Sequence, residues 1–157
     1  YAIYSSEQIT TYLKIKNVPR EKISTINMVI NNAKRYYADK ANFEKIANLN
    51  KISKMFEFER DWNGIGGEPF SSKAISFFQS VIEILDKQPQ ITPTGRNSLL
   101  MQYELEDNSV LAFEVCESRV EKVFVPKGDY SKAEEETFTN NMEQRIKESV
   151  TLFYENG

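Results

Sequence analysis

Leu99-Leu100-Met101-Gln102-Tyr103-Glu104-Leu105-Glu106-Asp107-Asn108-Ser109-Val110-Leu111-Ala112-Phe113-Glu114-Val115-Cys116 is where the hydrophobic rhythm of this chain changes. Leu99, Met101, Tyr103 and Leu105 alternate with Leu100, Gln102, Glu104 and Glu106, and Leu111, Phe113 and Val115 alternate with Ala112, Glu114 and Cys116. A period of two is that of a strand buried on one face. Asp107-Asn108 supplies the turn between the two runs, and Glu117-Ser118 turns the chain again into a third run, Val120–Val125. In that run Val123 and Val125 share a face while Val120 and Phe124 break the alternation, as at a bulge. Three short strands joined by tight turns predict an antiparallel meander, closed by Pro126-Lys127-Gly128-Asp129.

Everything before the meander reads as helix. Ser5 with Gln8 has the form of a capping box, followed by Ile9, Tyr12 and Leu13; Asn17-Val18-Pro19 then breaks the helix. Ile23, Ile26, Val29/Ile30, Ala33 and Tyr36/Tyr37 predict a second amphipathic helix, and Phe43, Ile46, Leu49, Ile52 and Met55/Phe56 a third. After a loop at 61–69, Ser71 or Ser72 caps a helix with a wide apolar face, Ala74 to Leu85, that Gln88-Pro89 ends. Ser131 with Glu134 reads as a second capping box, opening a last helix marked by Phe138, Met142, Ile146, Val150 and Phe153. The expected class is therefore α+β: N-terminal helices, a further helix, a three-stranded meander and a C-terminal helix, packed as one domain over 1–157. One face of the sheet requires cover, and the helices near 72 and 131 are placed to give it.

Composition bounds the function. The chain has 157 residues, 40% of them hydrophobic and 27% charged, as an ordinary globular domain does. It has no histidine and one cysteine, Cys116, so a Ser-His-Asp triad, a Cys-His pair, a His-containing zinc site and an intrachain disulfide are all excluded within it. Acidic neighbours raise a thiol's pKa, so Cys116, beside Glu114 and Glu117, reads as a packing residue. No apolar run reaches the ~20 residues of a membrane span. The chain opens on Tyr1-Ala2-Ile3-Tyr4, without the charged and apolar run of a secretory leader, and a cytoplasmic location is the expectation. Residues 1–60 hold eleven Lys/Arg against six Asp/Glu, and residues 61–157 nine against seventeen. A basic helical front thus precedes an acidic α-βββ-α part.

The densest loop signal is Asp61-Trp62-Asn63-Gly64-Ile65-Gly66-Gly67-Glu68-Pro69. With the Ser-capped helix and meander that follow, over about residues 60–125, it resembles a family of small, largely uncharacterised bacterial proteins. Those carry an Asp-Trp-Asp-Gly-Tyr-Gly-Ala-type motif at this place; here Asn63 replaces the second Asp and Gly67 the Ala. The resemblance implies a fold, and a toxin, immunity or phage-defence setting, but no reaction. The residues read chiefly as a turn: Asn-Gly supplies positive φ, Trp62 buries its ring with its indole N–H on a carbonyl, and Asp61 accepts backbone N–H groups. The alternative is a ligand or partner loop in which Asp61, Trp62, Asn63 and Glu68 make the contacts. The glycine spacing lacks the preceding strand and the Gly-Lys-Ser/Thr of a phosphate loop.

Three functional readings follow. The first is a non-enzymatic interaction domain that uses no cofactor and neutralises or inhibits a protein partner, with the acidic run Glu134, Glu135 and Glu136 steering it towards a basic one. The second is a nucleic-acid-binding regulator using Arg20, Lys22, Lys34 and Arg35 on the polar side of the second helix. The third is a carboxylate-metal enzyme such as a nuclease, with Glu104 and Glu106 on one strand face and Glu114 across the hairpin around a hard cation. Acids on the open face of a sheet also serve solubility.

Overall fold

The computed structural model describes residues 6–156. It is an α+β protein whose contacts group into two compact units, residues 1–43 and residues 44–157.

In the first unit, helix α1 (Ser6–Ile15) is followed by the opening turns of α2 (Arg20–Met55). Asn17 takes the left-handed φ of 56° that ends many helices. Its N–H bonds to the Lys14 carbonyl at 3.1 Å, and the Val18 N–H bonds to that of Leu13 at 3.1 Å. Pro19 has no N–H to offer a ladder, but its carbonyl accepts from Ile23 N at 3.1 Å and starts α2. Ile23 is buried, and Asn27 Nδ2 donates to Thr10 Oγ1 of α1 at 2.8 Å. The capping box expected at Ser5 and Gln8 falls outside the residues and side chains described.

The second and third expected helices are one helix. Between Tyr37 and Phe43 stand Ala38-Asp39-Lys40-Ala41-Asn42, with neither Gly nor Pro and with three good helix formers. A fading apolar stripe alone does not break a helix.

In the second unit, α3 (Ser72–Ile84) is capped by Ser71, whose Oγ accepts from Ala74 N at 3.1 Å. It ends at Leu85, before Gln88-Pro89, because the Gln88 side chain donates to the carbonyls of Ile82 (3.0 Å) and Leu85 (2.8 Å). Asn48 of α2, buried, donates to Gln88 Oε1 at 3.0 Å and to the Pro89 carbonyl at 3.1 Å.

The sheet has five strands, not three: β1 (Gln90–Pro93), β2 (Leu99–Glu104), β3 (Val110–Val115), β4 (Val120–Val125) and β5 (Glu134–Phe138), each antiparallel to its neighbour in sequence order. Prolines at 89 and 93 disguise β1, yet Pro93 sits at the end of an edge strand, where a missing N–H is harmless. The expected capping box at Ser131 and Glu134 is absent. Ser131 N–H and Oγ both bond to Asp129 in an Asx turn, Glu134–Phe138 pair with β4, and α4 (Met142–Glu155) starts eleven residues after Ser131. Nor does β4 carry a bulge: its register runs unbroken from Val110↔Val125 to Val115↔Val120. Val120, Lys122 and Phe124 face inward, and Lys122 obscures the pattern because its charge is matched on that side, by Glu136 at 2.5 Å.

Leu99, Met101, Phe113, Val115 and Val120 are fully buried against Phe78, Val81 and Ile82 of α3, Ile146 of α4, and Ile52 from the end of α2. Phe113→Ala should cost about 3–5 kcal/mol, the usual toll of truncating a buried phenylalanine, read as a lowered urea midpoint.

Candidate functional site: the 61–69 loop and the open sheet face

The loop satisfies itself. Asp61 takes a φ of 63°; its N–H bonds to the Gly67 carbonyl (2.7 Å) while its Oδ1 accepts from Gly66 N (2.6 Å). Asn63 Oδ1 accepts from Ile65 N (3.1 Å) and Gly67 N (2.8 Å). Trp62 Nε1 donates to the Glu68 carbonyl (2.9 Å), and its ring stacks on Phe58 at 4.8 Å and lies 6.1 Å from Phe70. Positive φ falls on Asp61, Gly64 and Gly66 and not on Asn63, so the Asn serves through its side chain. Of the four loop candidates, Asp61, Trp62 and Asn63 are thus committed to holding the turn, and Glu68 bonds through its N–H to the Gly95 carbonyl (3.1 Å) with its side chain exposed. A Cβ on Gly67 would lie 2.7 Å from Asn63 Oδ1 and 2.8 Å from Trp62 Nε1.

The β1–β2 turn beside the loop carries a cluster that no spacing in the sequence announces. Arg96 Nη2 contacts both oxygens of Glu114 at 2.7 Å, and buried Ser98 donates to Glu114 Oε1 at 2.7 Å. Partial burial pushes the Glu114 carboxyl up, but the hydrogen bonds from Ser98 and Arg96 and the guanidinium charge outweigh it and hold the group below its ordinary value. Asn97 Oδ1 accepts from Ser71 N (3.1 Å), and Ser71 Oγ donates to Glu117 (3.0 Å), so the same turn anchors the start of α3.

The proposed metal carboxylates do not meet. Glu114 pairs with Leu100 while Glu104 pairs with Val110, about 13 Å apart along the strand at ~3.3 Å per residue, and Glu106 lies beyond β2 in the turn. No group of three or more metal-ligating side chains occurs among the described residues. Of the basic quartet, Arg20, Lys34 and Arg35 fall within an arc of about 100° on α2 at 100° per residue, and Lys22 projects from the opposite side.

The acidic run is an edge strand, not a helix start. Glu136 faces inward to Lys122 and Arg145, which hold its carboxyl below the ordinary value, while Glu134 and Glu135 are exposed. Charge on an edge strand discourages pairing with another sheet. Cys116 is part-buried, and burial first, then Glu114 and Glu121, push its thiol up against the opposing charge of Arg119. The groove between α3 and α4, lined by Phe77, Ile84 and Met142, offers Glu143, which is already bonded to Ser80 at 2.8 Å.

The helices take one face of the sheet. On the other, Leu100, Val110, Ala112 and Val123 are part-exposed and none of them joins the core. The register sets Glu104, Glu114, Glu121 and Glu135 around these apolar residues, with Arg96 on Glu114 and Arg119 on Glu121 (3.0 Å). Sequence alternation marks this face as polar but does not show that Leu100, Val110, Ala112 and Val123 gather beside Gln102 among these glutamates. No helix among the described residues is long and apolar enough to cross a membrane. No protein-family model, curated protein or solved structure gives a significant match to the chain.

Two outcomes test the loop and its neighbour. Gly67→Ala should destabilise by about 1–3 kcal/mol, the range for overpacking, measured by urea unfolding with strand content unchanged. Because the Glu114 carboxyl is depressed in the folded state, its contribution is present above the ordinary Glu value of about 4.3 and lost as pH falls through the lower folded value. Arg96→Gln should therefore reduce stability most at neutral pH, and the gap to the unsubstituted protein should close on acidification, in a series of urea midpoints against pH.

Proposed function

We propose that this chain is a non-enzymatic protein-interaction domain whose open sheet face receives a basic partner protein. The observation that carries this is the one-sided burial of the sheet: Leu100, Ala112 and Val123, beside Gln102, are left part-exposed among Glu104, Glu114, Glu121 and Glu135, of which Glu104 and Glu135 have no arginine on them. Apolar area in the middle supplies affinity and a charged rim supplies steering. The five-stranded sheet presents this face preformed, so little ordering entropy opposes association. The resemblance at Asp61–Pro69 suggests the form such a role takes: a neutralising or inhibitory partner in a bacterial toxin, immunity or phage-defence setting.

The full chain, tagged and purified natively from its source cells, is expected to bring down a stoichiometric basic protein, with binding that slows as salt is raised. The double variant Ala112→Arg with Val123→Arg, which turns the face repulsive to such a partner, should recover at least about tenfold less of it, as when a like charge meets an interface centre. Absence of any basic protein, or equal recovery by the double variant, would overturn the proposal.

A further inference from the structure

Within the first unit, α2 carries Ile26, Val29, Ala33, Tyr36, Lys40 and Phe43 at alternating intervals of three and four residues. That is the a/d repeat of a coiled coil, and at 100° per residue the six fall within an arc of roughly 100°. Ile26 is part-buried, Ala33 and Lys40 are exposed, and Val29, Tyr36 and Phe43 are 59%, 65% and 72% exposed. The side of α2 turned towards α1 is the adjacent one, where Ile23 is buried and Asn27 bonds to Thr10. An apolar helical stripe in water is a docking surface awaiting its complement.

We infer that this stripe pairs with the same stripe of a second copy, the two helices running antiparallel with Ala33 of one opposite Tyr36 of the other. Three features of the sequence select a second copy in this direction. In that register Ile26 meets Phe43 and Val29 meets Lys40, so each layer sets a smaller side chain against a larger one, as close packing needs. A parallel pair would stack Lys40 on Lys40 in one layer; the antiparallel pair separates the two ammonium groups by about 16 Å of helix, each stem lying along Val29 while its charge reaches water. The same register brings exposed Asn32 and exposed Asp39 of opposite copies into flanking positions, where the amide donates to the carboxylate. The area suffices as well. Val29, Tyr36 and Phe43, 59%, 65% and 72% exposed, offer together roughly 350–400 Å² per copy, and with Ala33 and the Lys40 stem beside them the pair approaches the ~1,000 Å² of a specific interface.

This association is independent of the sheet face, so either proposal stands or falls without the other. The full chain should sediment as a concentration-dependent dimer, and Tyr36→Glu should weaken dimerisation about tenfold or more, as loss of a central aromatic anchor does. The urea midpoint of the second unit should be unchanged by that variant, which separates loss of pairing from loss of fold. Direction is read by mixing Ala33→Cys and Tyr36→Cys chains in a Cys116→Ser background: the mixed 33–36 disulfide should outnumber both symmetric ones. A monomer at all concentrations, or a dimer indifferent to Tyr36→Glu, overturns the interface; symmetric disulfides in excess overturn the antiparallel register.

Discussion

The structure of the second unit depends on burial of alternate side chains of a sheet beneath two helices. Leu99, Met101, Phe113, Val115 and Val120 point the same way because strand side chains alternate, and α3 and α4 remove them from water. At roughly 25 cal/mol per Å² this burial is the main favourable term. It also fixes the register, since a slip of one residue would turn the whole set to solvent. The Lys122–Glu136–Arg145 group lies on the same inward side, and it is tolerated because Glu136 bridges both cations and all three side chains stay partly in contact with solvent.

The 61–69 loop and the β1–β2 turn act on this arrangement as a clamp. One ties the end of α2 to the hairpin through Glu68 and Gly95, and the other ties the hairpin to the first turn of α3 through Asn97, Ser71 and Glu117. Asp61, Trp62 and Asn63 each bond to backbone groups of their own loop, so the conspicuous motif holds the shape of the turn. The two surfaces proposed for other molecules lie where the motif is not: the uncovered sheet face, and the stripe of α2 in the first unit.

Much of this was legible in the residues. The period-two alternation of 99–115 gave the central hairpin, and Ser71 gave the start of α3, because in both cases a local rule and the tertiary fold agree. Three readings failed where they disagree. Pro89 and Pro93 spell a loop until an edge position makes them harmless. Glu134-Glu135-Glu136 spells a helix start until pairing with β4, with Lys122 and Arg145 facing Glu136, makes it a strand. Between Tyr37 and Phe43 the polar Asp39, Lys40 and Asn42 thin the apolar series without ending the helix. For the candidate site, the internal bonding of Asp61 and Trp62 was readable from turn chemistry, whereas Asn63, read as a source of positive φ, serves through its side chain. The Arg96–Glu114–Ser98 cluster was not, since its members meet only through the pairing of β2 with β3.

The order of strands in the sheet is their order in the chain. Each pairing therefore closes a short connection, and the entropy lost in bringing partners together stays small at every step. Local pairings of this kind belong with the quickly assembling β structures. The two edge strands, each with one unpaired border, carry Pro93 at one side and the glutamates at the other. The finished sheet thus presents the borders least able to recruit a stranger's strand.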